Sequence, residues 1–577
     1  MTTSQGDTAG GAQMLTALVR LRGALQAAAL PLDGPGVEEQ RAARAALVDQ
    51  LEDYVIPRVI AAEAPMLVVV GGSTGAGKST LVNSLVGRRV TQPGVLRPTT
   101  RSPVLVHHPD DLEWFGQDRM LPDLRRVDHV TDDQDALQLV AADSVPRGLA
   151  LLDAPDVDSV EERNRTLAAQ LLAAADMWLF VTSAARYADQ VPWEQLKAAA
   201  QRSAAVAVVL DRTAEDAVQT VSTHLARMLA SRGLKDSPLF VVPDATVDDE
   251  GLLPPGHVAE IRAWLESLAA DSGARDDVVS QTLEGTVRSI AQRTHPVADA
   301  AAQQAAAVAE LRVDVEETYD DAAGALGRAC VDGSLLRGEV LARWQDLVGT
   351  GELLRGLEDK VGWIRDRVVN AVKGRPQQAD RVSVAIESAL EVLVLERAET
   401  AAEQVAARWR AHPAGESALA GAAGLGRASR ELRRAAERAA RDWQQDVTEL
   451  VRAQGADKRT AKFLALGVQG LTVALMVVTL DQDASSASSA SSSSASGRAL
   501  LDAVFGADVV AGLVDRARDR LELRTAGLLE SERGRWTAYL DGLGVDPDLD
   551  TQLREAARRV DDARFAAQSG RNGPAHD

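Results

Sequence analysis

The sequence predicts an α/β domain with a mostly parallel sheet of about six strands and helices on both faces, joined to a long all-α helical bundle or stalk. Two observations carry this prediction. Short Val- and Leu-rich runs alternate with helical segments between residues 63 and 272, and strand signals stop after about residue 276. The six runs are Met66–Val70, Pro103–His107, Leu149–Leu152, Met177–Val181, Val206–Leu210 and Leu239–Val242.

The composition excludes several classes of protein. The chain has 577 residues, of which 46% are hydrophobic and only 3% aromatic, so we expect a folded protein of several domains whose core consists of Ala, Leu and Val. Its 63 Lys and Arg against 84 Asp and Glu give a net charge of -21, which disfavours a nucleic-acid partner. The single cysteine, Cys330, excludes an internal disulfide and a Cys-based zinc finger.

The remaining segments follow from changes in composition and periodicity. We expect a disordered tail and then N-terminal helices that pack with the stalk, before the α/β domain. A helical stalk, an apolar segment, a Ser/Ala-rich flexible linker and C-terminal helices are predicted after it. In chain order the predicted boundaries are 1–12, 13–62, 63–272, 273–457, 458–483, 484–497 and 498–577.

The apolar segment Phe463–Leu480 has eighteen residues without a charge, whereas a membrane-spanning helix needs about 20. Lys458, Arg459 and Lys462 directly precede it, and a basic cluster beside an apolar run suits an anionic membrane. No secretory signal is visible, so we expect a cytoplasmic protein at the inner face of the cell membrane. Whether the segment spans the membrane or only dips into it stays open. The alternative interpretation is a buried helix of the stalk.

The strongest motif is a phosphate-binding loop that follows the first predicted strand and precedes a helix. Glycines let the backbone curl so that its N–H groups point at phosphates, and the helix N-terminus favours the same anion. Lys78 is expected to reach the β/γ-phosphates as a catalytic residue, and the Ser79 hydroxyl to bind Mg²⁺. The predicted nucleotide-binding residues of this loop are Gly72, Ser73, Thr74, Gly75, Ala76, Gly77, Lys78, Ser79 and Thr80.

Two further residues complete a predicted magnesium and phosphate switch. Asp153 ends the predicted strand Leu149–Leu152, where a carboxylate holds Mg²⁺ through water. Thr100 lies in a Pro-rich stretch before the second strand and is expected to offer a hydroxyl to Mg²⁺ and the γ-phosphate, with Thr99 as the competing choice.

Three stretches carry a resemblance to a family: Gly77–Gly87, Arg97–Pro103 and Leu151–Asp156. They resemble large GTPases of the translation-factor-like and dynamin-like type, and the flanking helices are similar to those of bacterial dynamin-like GTPases. The resemblance implies a P-loop GTPase domain, GTP as substrate with Mg²⁺, and self-association into a dimer or larger oligomer, or pairing with a related dynamin-like protein. It also implies membrane binding through the stalk.

The sequence departs from that family at several positions. Asp156 replaces the glycine of D-x-x-G, and Thr74 stands where dynamins have a catalytic Gln, so we expect slow or partner-stimulated hydrolysis. At the guanine-reading motif the chain has Asp211 and Arg212 followed by Thr and Ala. Arg212 is expected to cover the base. The missing guanine-binding Asp leaves three substitutes open, and they are Asp211, Glu215 and Asp216.

We therefore expect a GTP-hydrolysing dynamin-like protein that couples nucleotide state to membrane binding, membrane remodelling or oligomerisation. Two alternatives stay open. One is an ATP-using P-loop enzyme, favoured by the degraded guanine motif. The other is a nucleotide-switch scaffold with little hydrolysis, in which the apolar segment is buried in the bundle.

Overall fold

The computed structural model describes residues 4–92, 102–117, 119–159, 161–201, 204–348, 375–455, 461–481 and 493–571. These residues form two compact units. The first contains Gly36–Ala302 and both chain ends, Met1–Leu30 and Pro547–Asp577, and the second contains Pro31–Pro35 and Gln303–Asp546. The predicted division into an α/β domain and a helical region is confirmed in its main outline.

The first unit contains an eight-stranded sheet with the order β3-β4-β2-β5-β1-β6-β7-β8. Only β2 and β5 pair antiparallel, so the prediction of a mostly parallel sheet is confirmed. All six predicted runs form strands. The strands are β1 (Met66–Gly72), β2 (Val104–His107), β3 (Arg125–Val127), β4 (Ala136–Ala141), β5 (Leu149–Asp153), β6 (Met177–Ser183), β7 (Ala205–Thr213) and β8 (Leu239–Pro243).

The prediction of about six strands missed β3 and β4 at one edge of the sheet. β3 has three residues, and its first residue, Arg125, is exposed. β4 is buried only in its first half. A strand that is buried on both faces needs a continuous apolar run. β3 is a short edge strand and β4 is only partly buried, so neither has such a run in the sequence.

Both faces of the central strands are covered. Successive side chains of a strand point to opposite sides of the sheet, so alternate residues pack into different clusters. Leu67 and Val69 of β1 belong to one buried apolar cluster, and Met66, Val68 and Val70 belong to another. Helices on both faces are therefore confirmed. This burial explains why the strand runs are nearly free of polar residues.

The helices are numbered here in chain order. Those with residues in the first unit are α1 (Ser4–Ala27), α2 (Val37–Gln50), α3 (Ile56–Ile60), α4 (Lys78–Val86), α5 (Glu162–Ala173), α6 (Gln190–Gln201), α7 (Val218–Ser231), α8 (Pro255–Ala270), α9 (Ser272–Val331) and α17 (Leu549–Arg571). A π-helical turn, Leu51–Val55, joins α2 to α3. α9 is continuous across the boundary between the units, which falls after Ala302.

The structure corrects the predicted N-terminal region. α1 begins at Ser4, so a helix replaces most of the disordered tail expected over 1–12. The N-terminal helices belong to the unit that holds the sheet rather than to the stalk. Leu18 and Leu21 of α1 are fully buried, and they share one apolar cluster with Leu553 of α17 and with strand residues. The region expected as C-terminal helices is divided, because α17 belongs to the first unit and residues up to Asp546 to the second.

A buried ion pair fixes the N-terminal helices to the sheet. Arg58 Nε of α3 lies 3.1 Å from Asp176 Oδ1, and both side chains are buried. Asp176 also accepts hydrogen bonds from the Tyr54 hydroxyl at 3.0 Å and from the Leu67 amide of β1 at 2.7 Å. Burial raises the pKa of Asp176, and Arg58 is the largest opposing influence. The carboxylate is thus held by one cation and two donors.

Among the described residues, the second unit consists of helices joined by turns and loops, with one isolated β-bridge between Asp332 and Asp481. Its core is mainly Ala, Leu and Val with the buried tryptophans Trp344, Trp409, Trp443 and Trp536. Each indole N–H that is buried needs an acceptor. Trp443 donates to the Ala517 carbonyl at 2.9 Å, and Trp536 to the Tyr319 hydroxyl at 3.1 Å. Besides the end of α9, its helices are α10 (Glu339–Val348), α11 (Arg375–Arg410), α12 (Pro413–Gly421), α13 (Leu432–Gly455), α14 (Ala461–Thr479), α15 (Ser493–Phe505) and α16 (Ala507–Gly542).

The apolar segment forms α14, whose helix is interrupted at Gly467 (φ 66°, ψ 167°). From Leu471 to Leu480 every residue is buried in the core of this unit, whereas Gln469 is exposed. Across the described ranges, no helix has the length and apolar character needed to span a membrane. Lys458 and Arg459, and the first part of the predicted linker, lie outside the described residues. The last residues of that linker, 493–497, are helical and open α15, which corrects the expectation of a flexible segment there.

Candidate nucleotide-binding site

The predicted phosphate-binding loop connects β1, which ends at Gly72, to α4, which begins at Lys78. This is the strand–loop–helix context that the motif requires. Gly77 adopts φ 100°, a left-handed conformation that side chains disfavour. The N-terminus of α4 therefore lies directly after the loop, and a helix N-terminus favours an anion.

Lys78 is buried and fully engaged. Its ammonium donates to the carbonyl oxygens of Gly72 and Ser73, each at 3.1 Å, and to the carboxylate of Asp156. Lys78 is 4% exposed and Asp156 is 2% exposed, so water weakens this ion pair little. The position that departs from D-x-x-G is thus in direct contact with the predicted catalytic lysine.

The two predicted magnesium residues that the structure describes lie together. Ser79 Oγ donates to Asp153 Oδ2 at 2.7 Å, and the Thr91 hydroxyl donates to the same oxygen at 2.8 Å. Burial raises the pKa of Asp153, while the hydrogen bonds from Ser79 and Thr91 and the charge of Lys78 act against that rise. Within the described part of the chain, the other carboxylate oxygen, Asp153 Oδ1, is buried without a hydrogen-bond partner. A buried, unsatisfied carboxylate oxygen beside a serine hydroxyl fits a hydrated Mg²⁺.

Thr91 was not predicted from the sequence. Buried Asn83 of α4 fixes the loop around it, since Asn83 Oδ1 accepts from the amides of Val90 and Thr91 and its amide donates to the Thr91 carbonyl at 2.9 Å. Thr100 and its competitor Thr99 lie outside the described residues, so their predicted role stays a prediction.

A second group near the loop was also missed. Asp158 Oδ1 accepts from the Thr74 amide at 2.5 Å and from the Thr74 hydroxyl at 2.7 Å, and Asp158 Oδ2 accepts from Arg186 Nη1 at 2.8 Å. Arg186 follows β6 by three residues, at the edge where the carboxyl ends of parallel strands meet. The position of Arg186 just after a strand is the signal in the sequence that could have indicated its place near the loop.

Asp211 and Arg212 lie at the end of β7, beside Gly77. Burial raises the pKa of Asp211 to about 6, against the lowering influence of the Arg212 amide that donates to it at 2.8 Å. Arg212 is exposed and adopts φ 51°. The two other predicted substitutes for the guanine-binding carboxylate, Glu215 and Asp216, are exposed. The structure thus brings Asp211 and Arg212 against the phosphate-binding loop, whereas Glu215 and Asp216 are exposed.

A protein-only metal cage is a different kind of site. Among the described residues, no group of three or more His, Cys, Asp or Glu side chains is arranged to hold a metal ion. Any Mg²⁺ here would therefore depend on a hydroxyl, a single carboxylate, water and substrate phosphates, which is the coordination Mg²⁺ adopts with nucleotides.

Comparison with known proteins agrees with this geometry. Residues 68–212, from β1 through the start of the degraded guanine motif, match the family model of the Dynamin family. We refer to this segment, which is similar to the dynamin family, as the dynamin-family domain. The resemblance to dynamin-like GTPases that Gly77–Gly87 and Leu151–Asp156 predicted is thereby confirmed for the dynamin-family domain.

One curated relative of the dynamin-family domain is the probable transmembrane GTPase FZO-like, chloroplastic, from Arabidopsis thaliana. It is 30% identical over 132 residues, which are 23% of this chain and 13% of that protein. The match thus covers about an eighth of the relative's length.

Solved structures of bacterial dynamins are similar over longer stretches at low identity. A structure titled as an oligomerised bacterial dynamin pair for long range sensing and tethering of membranes has a TM-score of 0.28 and 11% identity, over 96% of this chain and 83% of that chain. The LeoA bacterial dynamin GTPase from ETEC has a TM-score of 0.23 and 12% identity, over 98% of this chain and 99% of that chain.

Proposed function

We propose that this protein binds and hydrolyses GTP through its dynamin-family domain. The observation that carries the proposal is the cluster at the start of α4. There Ser79 Oγ lies 2.7 Å from Asp153 Oδ2, and Lys78 is buried against the carbonyl oxygens of Gly72 and Ser73. A phosphate-binding loop with its lysine, its serine and a strand-end carboxylate in contact is the arrangement that phosphoryl transfer to water requires.

The chain's own residues have separate tasks in this reaction. The amides of the loop and Lys78 hold the β- and γ-phosphates and stabilise the charge that develops on them. Ser79 and Asp153, with Thr100 as a third contributor, are the residues that would hold Mg²⁺, Asp153 through water. Mg²⁺ held there would supply positive charge that neutralises the phosphate groups.

Guanine is the base we propose, with Arg212 lying over the ring and Asp211 as the nearby carboxylate. Arg212 is exposed next to Gly77, which leaves its guanidinium available for stacking on a base. ATP is the competing substrate, because Glu215 and Asp216, the other candidates for the guanine-binding carboxylate, are both exposed.

We further propose that the nucleotide state controls self-association and attachment to an anionic membrane at the inner face of the cell membrane. The support is the resemblance of the sequence to bacterial dynamin-like GTPases and the basic residues before Phe463. If the apolar segment makes the membrane contact, α14 must leave the core that buries Leu471–Leu480.

The burial of α14 favours a second candidate function, a nucleotide-switch scaffold that recruits partners and hydrolyses little. Residues 471–479 of this helix are all buried, so this stretch contributes to the bundle core. In that case nucleotide binding changes the helical unit without exposing the segment.

The first experiment is phosphate release from GTP and ATP at matched concentrations, with and without anionic liposomes. Lys78→Ala alone leaves Asp156 buried without its cation, so Lys78→Ala/Asp156→Ala is the better inactive control. GTP turnover that exceeds ATP turnover and is lost in the double variant is the expected result. Nucleotide turnover that the double variant retains would contradict the assignment of the site.

A thiol-accessibility experiment separates the membrane form from the scaffold. The natural Cys330 is buried and burial raises its pKa to about 12, so it reacts slowly with thiol reagents. Met476→Cys places a thiol in the core, and Gln469→Cys places one on the exposed part of α14. If the thiol at residue 476 is protected from the reagent but reacts once GTP and liposomes are added, membrane attachment is supported. Protection that persists under every condition supports the scaffold, and Gln469→Cys reports that the reagent is active.

A further inference from the structure

The ion pair between Lys78 and Asp156 occupies the lysine that a nucleoside triphosphate needs. A lysine ammonium has three N–H donors. In this structure the three have acceptors at Gly72 O, Ser73 O and the Asp156 carboxylate. A γ-phosphate oxygen can reach Lys78 only by replacing one of them.

Asp156 is the acceptor that a phosphate would replace, because it is the anionic one. The other two are backbone carbonyls of the loop itself, at 3.1 Å, and moving them would dismantle the phosphate-binding loop. The Asp156 carboxylate therefore takes the place at the ammonium that a terminal phosphate oxygen takes in a P-loop enzyme with bound triphosphate.

The backbone keeps Asp156 in this position. The Ala154 amide donates to the Val70 carbonyl at 3.2 Å, and the Val157 amide donates to the Gly72 carbonyl at 3.3 Å. Both acceptors belong to β1, so the segment that carries Asp156 is attached to the strand leading into the loop. The pair is thus part of the folded site.

The negative charge around the loop also disfavours a triphosphate. Asp153, Asp156 and Asp158 are all within one short segment, and each contacts a residue of the loop or its helix. A triphosphate adds a terminal phosphate next to the buried Asp156, where like charges repel strongly because little water screens them. A diphosphate brings no γ-phosphate next to this carboxylate, so it meets less repulsion from Asp156 than a triphosphate does.

From these contacts we propose that Asp156 is a specificity-determining residue that makes the site favour a nucleoside diphosphate over the corresponding triphosphate. This inference rests on the proposed function, since it states how many phosphate groups the nucleotide preferred by the same site carries. The γ-phosphate enters only when the Asp156 carboxylate leaves Lys78. The triphosphate-bound state is therefore the less populated one at equal concentrations.

The test is the ratio of the dissociation constants of GTP and GDP, measured on the full chain with Mg²⁺ by calorimetry or a fluorescent nucleotide. Asp156→Asn keeps the shape of the side chain and removes its charge, and Asp156→Gly removes the side chain altogether. Asp128→Asn, at an exposed position far along the chain from the loop, controls for the change in net charge. Circular dichroism and thermal melting verify that each variant is folded.

The expected result is a GTP/GDP ratio above one in the unmodified chain and in Asp128→Asn, with a fall of tenfold or more in both Asp156 variants. An unchanged ratio in folded Asp156→Asn and Asp156→Gly would overturn the inference and leave the proposed function standing. If neither the unmodified chain nor any folded variant binds GTP, GDP or ATP, the proposed function fails and the inference fails with it.

Discussion

The carboxylate of Asp211 fills the space that a side chain on residue 77 would need. A Cβ built on Gly77 would lie 2.0 Å from Asp211 Oδ2, which is far inside van der Waals contact. Gly77, the third glycine of the loop, is therefore constrained in two ways. Its φ is 100°, and the buried Asp211 of β7 leaves no room for a side chain. The relationship also connects the phosphate-binding loop to the segment proposed to read the base.

This contact predicts different outcomes for two glycine-to-alanine substitutions. Gly75 has φ 72° but open space around it, so Gly75→Ala adds only backbone strain, about 1–2 kcal/mol. Gly77→Ala adds the same strain and forces Asp211 to move. We expect Gly77→Ala to lower nucleotide affinity much more than Gly75→Ala in a direct binding titration. Equal affinities in the two folded variants would show that the contact with Asp211 is unimportant.

The Ser79–Asp153 contact predicts a dependence on Mg²⁺. Ser79→Ala removes the proposed magnesium hydroxyl and should weaken nucleotide binding in Mg²⁺ by about tenfold or more, as loss of groups at metal sites commonly does. In EDTA the variant and the unmodified chain should bind alike. Thr91→Val is the matched control, because it removes the other hydroxyl that bonds Asp153 Oδ2 without removing Ser79. A magnesium effect that Ser79→Ala retains would exclude Ser79 as the ligand.

The Arg58–Asp176 ion pair predicts a large loss of stability when one partner is removed. Arg58→Met leaves the Asp176 carboxylate buried without its cation, and breaking a buried pair in this way costs about 3–5 kcal/mol. Chemical denaturation followed by circular dichroism measures the change. The double variant Arg58→Met/Asp176→Leu removes both charges and should recover part of the loss. A double variant no more stable than Arg58→Met would mean that packing, rather than the unpaired charge, accounts for the effect.

The raised pKa of Asp53 predicts how the stability of the first unit depends on pH. Burial raises its pKa from 3.8 to about 7, with the nearby carboxylates of Asp49, Asp123 and Glu52 acting in the same direction and a hydrogen bond from Gln170 against it. Between about pH 4 and pH 7 the folded state therefore holds a proton that the unfolded chain has lost, so this group's contribution to stability falls as the pH rises.

Asp53→Asn removes that titration. We expect the variant to be more stable than the unmodified chain at pH 8, by roughly 2–4 kcal/mol, and the difference to shrink towards pH 4. Denaturation at a series of pH values measures the difference, and Asp128→Asn, which is exposed, should show no such trend. A stability difference that does not change with pH would contradict the raised pKa.

Local patterns in the sequence were sufficient for the features that depend on neighbouring residues. The six apolar runs predicted six of the eight strands, because strands covered on both faces must be apolar throughout. The spacing from Gly72 to Ser79 predicted the loop between β1 and α4, because the curl of the backbone is determined by its own glycines. Asp153 and Ser79, both predicted from their positions as magnesium residues, lie in contact.

Only the tertiary structure decided which distant segments meet. The N-terminal helices are joined to the sheet by a shared apolar cluster and by the Arg58–Asp176 pair, whose members are separated by more than a hundred residues. No local pattern specifies such distant partners. The burial of Leu471–Leu480 was open for the same reason, since an apolar run is equally suited to a membrane and to a bundle core. The contact of Asp156 with Lys78 depends on how two loops fold against each other. The sequence by itself therefore determined the elements and the nucleotide motif, while long-range packing decided what surrounds them.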